Sequence, residues 1–85
     1  MIVNKKHLFI EFVVNNKIYE CYFSMNLTLM QNMSLLYDLI NDEIKTEFLF
    51  DKYIFIYEKK QNVKLNLFIP LKDLSLEDSA HLVVY

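Results

Sequence analysis

Two early segments of the chain, residues 7–14 and 17–24, have the pattern of β-strands. Both are rich in aromatic and β-branched residues, and only Asn15-Asn16 separates them. Two such segments joined by two turn-forming residues predict a β-hairpin. This loop length pairs residues of one side of the hairpin as follows: Phe12 with Tyr19, Ile10 with Cys21, and Leu8 with Phe23.

The other side of the predicted hairpin holds Phe9, Glu11 and Val13 against Ile18, Glu20 and Tyr22. Here Glu11 lies directly opposite Glu20, and like charges at opposed positions repel. We therefore expect this second side to face water and the first side to face the core.

Residues 29–44 have the spacing of an amphipathic helix. The apolar positions, four, three, four and four residues apart, are Leu29, Met33, Leu36, Ile40 and Ile44. Polar residues, among them Gln31, Asn32 and Asp38, are assigned to the other helix faces. Thr28 and Gln31 have the spacing of a capping box, so the helix is predicted to begin at this point.

Three further strands are predicted after the helix. Residues 52–58 form the first, residues 59–62 a polar turn, and residues 63–69 the second, which Pro70 ends. Residues 71–80 suit a tight turn or a 3₁₀ helix, and residues 81–85 form the last strand. The sequence predicts one α+β domain over residues 1–85, with a hairpin, one helix packed across one face of a mixed sheet, and then three strands.

The composition excludes several classes of function. There is no glycine, so phosphate-binding loops and dinucleotide motifs are absent, and asparagine is expected to supply the turns. The formal net charge is -2, with charges spread along the chain, which argues against a nucleic-acid partner. We expect a cytoplasmic protein without direct membrane insertion, because no apolar run approaches ~20 residues and the single cysteine suits a reducing compartment.

The last fifteen residues, LKDLSLEDSAHLVVY, resemble the closing segment of ubiquitin-like domains, which has the pattern L-x-D-x-x-[IL]-x5-L-x-[LIV]. The matching positions are Leu71, Asp73, Leu76, Leu82 and Val84. Together with the order of the predicted elements, this resemblance implies the β-grasp fold.

Within this superfamily, the chain is most similar to the YukD/EsaB proteins associated with type VII (Ess/Esx) secretion in Gram-positive bacteria. The resemblance rests on length, on the hairpin-to-helix spacing and on an end soon after the last strand, here at Tyr85. Conjugated modifiers and sulfur carriers end in Gly-Gly, whereas this sequence contains no glycine. The resemblance therefore implies an unconjugated accessory or regulatory protein.

Few residues of the sequence suggest catalysis or metal binding. Cys21 is expected to face inward as a small hydrophobic residue, although a thiol enzyme remains an alternative. His7 and His81 begin strands that are parallel neighbours in a β-grasp sheet, but a zinc site needs further ligands on the same face. We expect no metal, no cofactor and no catalysis, and a metal-dependent enzyme is the weaker alternative.

Large residues are concentrated on the predicted wet side of the sheet. If Ile54 and Ile56 face the helix, strand alternation exposes a predicted protein-binding patch formed by Phe9, Tyr22, Tyr53, Phe55, Tyr57, Val83 and Tyr85. Tyrosines also line ordinary solvated sheets, but Phe9 and Phe55 have no polar group that favours exposure. The sequence therefore predicts a protein-interaction module that uses this face, and a homo-oligomer that buries the same face is the alternative.

Overall fold

The computed structural model describes residues 4–14, 16–44 and 55–85, without the side chains of residues 41–44. The elements in chain order are β1 (Lys5–Phe12), β2 (Lys17–Ser24), α1 (Leu29–Ile44), β3 (Ile56–Glu58), β4 (Val63–Lys64), a 3₁₀ helix (Leu71–Asp73) and β5 (Ala80–Val84). The sheet has the strand order β2-β1-β5-β3-β4. Strands β1 and β5 are parallel, and the other neighbours are antiparallel.

The hairpin has the predicted faces but a different register. Phe12 pairs with Lys17 and Ile10 pairs with Tyr19, so the loop has four residues rather than two and Glu11 is not opposite Glu20. Asn16 N–H donates to Phe12 O at 2.9 Å and closes this loop, and the backbone N–H of Val13 donates to Val84 O of β5. The change in register is two residues, so each side chain keeps its predicted face. Asn15 lies outside the described residues.

The helix begins as predicted. Thr28 N–H donates to Gln31 Oε1 at 2.9 Å, and Gln31 N–H donates to Thr28 Oγ1 at 3.0 Å, which is the reciprocal pattern of a capping box. Asn32 was assigned to a polar face and is instead buried at 4% exposure. Its amide bonds the backbone of Ser24, so a polar residue on α1 fixes the end of β2.

Strand β4 is shorter than predicted, whereas β5 has the predicted length of five residues. Strand β4 ends at Lys64 because the chain turns towards the helix, where Leu67 O accepts a hydrogen bond from Met30 N–H. This bond satisfies one of the free N–H groups in the first helical turn. Strand β3 is described only from Ile56, and the first part of the predicted strand, including Tyr53 and Ile54, lies outside the described residues. Of the two structures predicted after Pro70, a tight turn or a 3₁₀ helix, the chain forms the 3₁₀ helix, over Leu71–Asp73.

In the part of the chain that the structure describes, asparagine supplies three of the five left-handed backbone positions. Asn4, Asn16 and Asn62 have φ angles of 61°, 58° and 55°, and Ser75 and Ser79 also have positive φ. Asparagine tolerates this region better than other residues with a Cβ atom. The prediction that asparagine replaces glycine in the turns is confirmed at these three positions, and serine takes the other two.

The core lies between α1 and one face of the sheet, called here the inner face. The predicted helix positions Leu29, Met33, Leu36 and Ile40 are all buried. They pack in one cluster with buried sheet residues, which include Leu8, Ile10, Phe12, Ile56, Leu82 and Val84. Each strand therefore presents its alternate residues to the opposite, outer face.

Candidate functional site

The outer face of the sheet is the candidate site. Strand pairing places Tyr57 beside Val83, Val83 beside Glu11, and Phe9 between Glu20 and His81. These residues alternate with the buried ones along each strand, so they share the outer face. The outer face divides into two parts. One part is aromatic. The other, called here the ion-paired part, contains Phe9, Tyr22 and the polar side chains around them, which are His7, Glu11, Glu20, Lys59 and His81.

The aromatic part, called here the aromatic cluster, consists of Phe55, Tyr57 and Tyr85. Phe55 is 43% exposed and Tyr85 is 62% exposed. The rings of Tyr57 and Tyr85 meet edge to face with centroids 5.5 Å apart, and Tyr85 N–H donates to Phe55 O at 2.9 Å. Backbone pairing therefore holds the three rings at one end of the outer face.

The aromatic cluster lines an open groove of about 400 Å³, together with Asn62. Lys64 lies at the same place, with its Nζ atom 4.3 Å from the centre of the Phe55 ring. This geometry is that of a cation–π contact and leaves the ammonium at the rim. The groove thus offers apolar ring surface, tyrosine hydroxyls, one amide and one cation.

The structure corrects the predicted patch at Val83, which is buried at 8% exposure. Its side chain belongs to the outer face, but it lies in the sheet between Glu11 and Tyr57. A small side chain on a central strand is covered by its longer neighbours, a result that alternation alone does not reveal. Tyr53, also in the predicted patch, lies outside the described residues.

Phe9 and Tyr22 lie in the other part of the face, so the predicted patch is not continuous. Phe9 is half-buried, with its ring 5.1 Å from that of His7 and 6.5 Å from that of His81. Tyr22 is exposed, and its ring lies 5.0 Å from that of His7. Phe9 therefore packs among polar rings and contributes little exposed apolar surface.

Sequence reasoning missed the histidine–carboxylate hydrogen bonds and the Lys59–Glu11 ion pair around these rings. His7 Nε2 lies 2.5 Å from Glu20 Oε2, and His81 Nε2 lies 2.8 Å from Glu11 Oε1. Lys59 Nζ is 3.7 Å from the same Glu11 oxygen. The alternation of side chains along the strands could have indicated these contacts, because it places each of these residues on the side of the sheet that was predicted to face water.

Ser79, His7 and Glu20 form a chain that resembles a nucleophile, a base and an orienting acid. Ser79 Oγ lies 2.7 Å from His7 Nδ1, and the carboxylate acceptor Glu20 implies that Nε2 carries the proton. Acyl transfer also needs donors for the developing oxyanion. The nearby N–H groups of Ser79 and Ala80 already donate to His7 O and Glu77 O. The hydrogen bonds among Ser79, His7 and Glu20 therefore have a structural explanation: they hold the turn before β5 in place.

Cys21 is half-buried on the inner face, as predicted from the alternation. Burial, and secondarily the charge of Glu20, raises the pKa of the Cys21 thiol to about 12. The nucleophilic form of cysteine is the thiolate, so this environment suppresses reactivity at neutral pH. Among the described residues, no group of three or more histidine, cysteine or acidic side chains is arranged to hold a metal ion.

Comparison with known proteins supports the fold. No protein-family model and no curated protein matches the sequence. Among solved structures, one from a study of molecular mimicry of SUMO in DNA repair matches with a TM-score of 0.72 and 14% identity, covering 100% of this chain and 95% of that one. The UBL domain of yeast Ddi1 matches with a TM-score of 0.63 and 21% identity, covering 99% and 91%.

A third match is the ubiquitin-like domain of ECCD1, a type VII secretion system protein of Mycobacterium tuberculosis. The TM-score is 0.66 and the identity 10%, and the alignment covers 96% of this chain and 98% of that one. The chain has the ubiquitin-like β-grasp fold. The predicted fold class is therefore confirmed, whereas the similarity of this β-grasp domain to YukD/EsaB proteins stays a prediction.

No helix within the described residues is long and apolar enough to cross a lipid bilayer.

Proposed function

We propose that this β-grasp domain is a non-catalytic protein-interaction module that docks on a protein partner through the aromatic cluster. The observation that carries the proposal is the open groove of about 400 Å³ between Phe55, Tyr57, Asn62 and Tyr85. Aromatic residues are enriched at the centres of protein interfaces because one side chain buries a large area at low entropic cost. The finer proposal is an accessory or regulatory role in type VII secretion, similar to that of YukD/EsaB proteins, in the bacterial cytoplasm.

The energetics favour binding at this place over the rest of the outer face. Covering a fully exposed aromatic side chain gains roughly 1.5–3 kcal/mol, and Phe55 and Tyr85, at 43% and 62% exposure, each offer a part of that gain. The ion-paired part offers less, because a partner would have to desolvate Glu11 and Glu20, which already bind histidines. The fold similarity to a domain of a type VII secretion protein supports the choice of partner class.

The test uses Phe55→Ser. The loss of one exposed ring should leave the thermal unfolding temperature nearly unchanged, because the side chain makes little contribution to the core. Binding to purified cytoplasmic proteins of the type VII secretion machinery, measured by calorimetry, should weaken about tenfold or more. The matched control is Val63→Ser, which removes another exposed apolar side chain at 47% exposure outside the cluster.

Three results are informative. Weaker binding by Phe55→Ser with normal binding by Val63→Ser supports the site. Equal affinities for both variants and the wild type would remove the aromatic cluster as the docking site. If no type VII secretion protein binds the wild-type domain, the secretion assignment is wrong.

A further inference from the structure

Lys64 gives the aromatic cluster a positive charge that no carboxylate in the described part of the chain neutralises. The Nζ atoms of Lys59 and Lys60, in the preceding turn, lie 3.7 Å and 3.5 Å from glutamate oxygens. The Lys64 Nζ atom lies instead 4.3 Å from the centre of the Phe55 ring, and no acidic side chain that the structure describes is within ion-pair distance of it. This charge is therefore available to a partner.

The described lining of the groove beside Lys64 contains no acidic side chain and consists of Phe55, Tyr57, Asn62 and Tyr85. Two carboxylates of the neighbouring strands are already bound. Glu58 points to the inner face and accepts hydrogen bonds from N–H groups of the turn that follows it. Glu11 binds His81 and Lys59. Within the described residues, the charge at the groove is therefore positive, although the formal net charge of the whole chain is -2.

We infer that the docking segment of the partner carries an aspartate or a glutamate close to an apolar side chain. The apolar side chain enters the groove between Tyr57 and Tyr85, and the carboxylate binds the Lys64 ammonium. This inference rests on the proposed function, because it names the chemistry of the segment that occupies the same site. It adds that charge, and not only apolar surface, selects the partner.

The Phe55 ring prepares Lys64 for this contact. Lys64 lies opposite Tyr57 in the β3–β4 pair, so its side chain rises from the outer face, where the ring holds the ammonium by a cation–π contact. An ammonium has three N–H donors, and the ring covers one side of it, which leaves donors for a carboxylate. Because the long side chain is already positioned, binding a carboxylate costs less conformational entropy.

Strand geometry sets the distance between the two side chains of the docking segment. Tyr85 follows β5, Tyr57 lies in β3 and Lys64 lies in β4, and neighbouring strands are about 4.8 Å apart. A side chain held between Tyr57 and Tyr85 is therefore roughly 5–10 Å from Lys64. An extended segment advances about 3.3–3.6 Å per residue, so the carboxylate belongs within about three residues of the apolar side chain.

Two other classes of ligand fit this groove less well. A small-molecule site buries roughly 70–90% of the surface of its ligand, which an open groove on a sheet face does not achieve. A nucleic acid is held by several cations on its phosphates, whereas the described part of the groove offers a single lysine. A protein segment matches both the open shape and the single charge.

The test measures the binding of short peptides to the full, isotope-labelled chain by NMR. Three end-blocked probes share a central phenylalanine, which is flanked on each side by two aspartates, two asparagines or two lysines. The wild type should bind the aspartate probe about tenfold more tightly than the lysine probe, with shifts at the amides of Phe55, Asn62 and Tyr85. Added salt should reduce this preference, because it screens exposed charges.

Variants of Lys64 assign the preference to this side chain. Lys64→Glu should reverse the order of the probes, and Lys64→Met, which keeps an apolar stem beside Phe55, should abolish the preference. The matched control is Lys72→Glu, which makes the same change of charge at an exposed position of the 3₁₀ helix and should keep the wild-type order. Circular dichroism confirms that each variant is folded.

The outcomes separate this inference from the proposed function. Equal binding of the three probes by the wild type, or a preference that Lys64→Glu leaves unchanged, would overturn the inference. If those equal affinities all fall in Phe55→Ser, the aromatic cluster remains the docking site and the proposed function is retained. A wild type that binds none of the probes would also overturn the inference, while calorimetry with the purified secretion proteins still decides the proposed function.

Discussion

The inner and outer faces of the sheet are built from the same strands but are stabilised in different ways. On the inner face, Leu8, Ile10, Leu82 and Val84 are buried against α1. On the outer face, side chains of comparable size are held by ring contacts and ion pairs or are exposed. Burial of apolar surface is the main stabilising contribution to folding, so the inner face determines stability and the outer face is free to carry function.

The largest expected loss of stability comes from Leu36→Asp, which changes a residue of α1 that packs on the inner face. Leu36 is 7% exposed in the core, and an unpaired charge there should destabilise the domain by about 4 kcal/mol or more, enough to unfold a small domain. The matched control is Leu39→Asp on the same helix, at 84% exposure, which should remain folded. Thermal unfolding by circular dichroism makes the comparison, and cooperative unfolding of Leu36→Asp near the wild-type temperature would contradict the described core.

A smaller effect is expected from Asn32→Ala, which removes a polar contact from the inner side. The N–H and C=O groups of Ser24 would lose their partner, at a cost of about 1–3 kcal/mol. Urea unfolding measures this cost. Ser34→Ala, at an exposed position of the same helix, is the control, and equal stability of the two variants would show that water replaces the Asn32 amide without loss.

Cys21→Ala should lower the free energy of unfolding by about 1 kcal/mol, because it leaves a small space beside the core.

The raised pKa of Cys21, about 12, also predicts that a disulfide reagent at pH 8 modifies the native thiol at least about tenfold more slowly than the urea-unfolded thiol. Because the thiol pKa is higher in the folded than in the unfolded protein, its stabilising effect is complete below pH 9 and is lost as the pH rises towards 12. The stability difference between wild type and Cys21→Ala should shrink over this range, and equal modification rates would place the thiol at the surface.

The smallest loss of stability is expected from Glu11→Gln, a change on the outer face. Glu11 is partly exposed and binds His81 and Lys59, and such pairs contribute about 0.2–1 kcal/mol. Added salt should reduce the difference between this variant and the wild type. A loss as large as that of Asn32→Ala would mean that the ion-paired part of the outer face stabilises the fold as a buried network does.

The candidate site was only partly predictable. Strand parity correctly assigned Phe55, Tyr57 and Tyr85 to the outer face, because side chains alternate with period two. The same rule failed to show that Val83 is covered, since coverage depends on the length of the side chains on two neighbouring strands. The division of the face by Glu11 and His81 depends on the parallel register of β1 and β5, which no local pattern encodes.

The sequence by itself determined the elements and their faces. Periodicity identified the helix, reciprocal side-chain bonding at Thr28 and Gln31 placed its beginning, and asparagine marked turns that glycine usually occupies. These features arise from interactions between residues close in the chain. Tertiary structure decided the end of β4 through the bond from Met30 to Leu67, and the burial of Asn32. Each of these depends on a partner distant in sequence, whose position exists only once the helix has packed on the sheet.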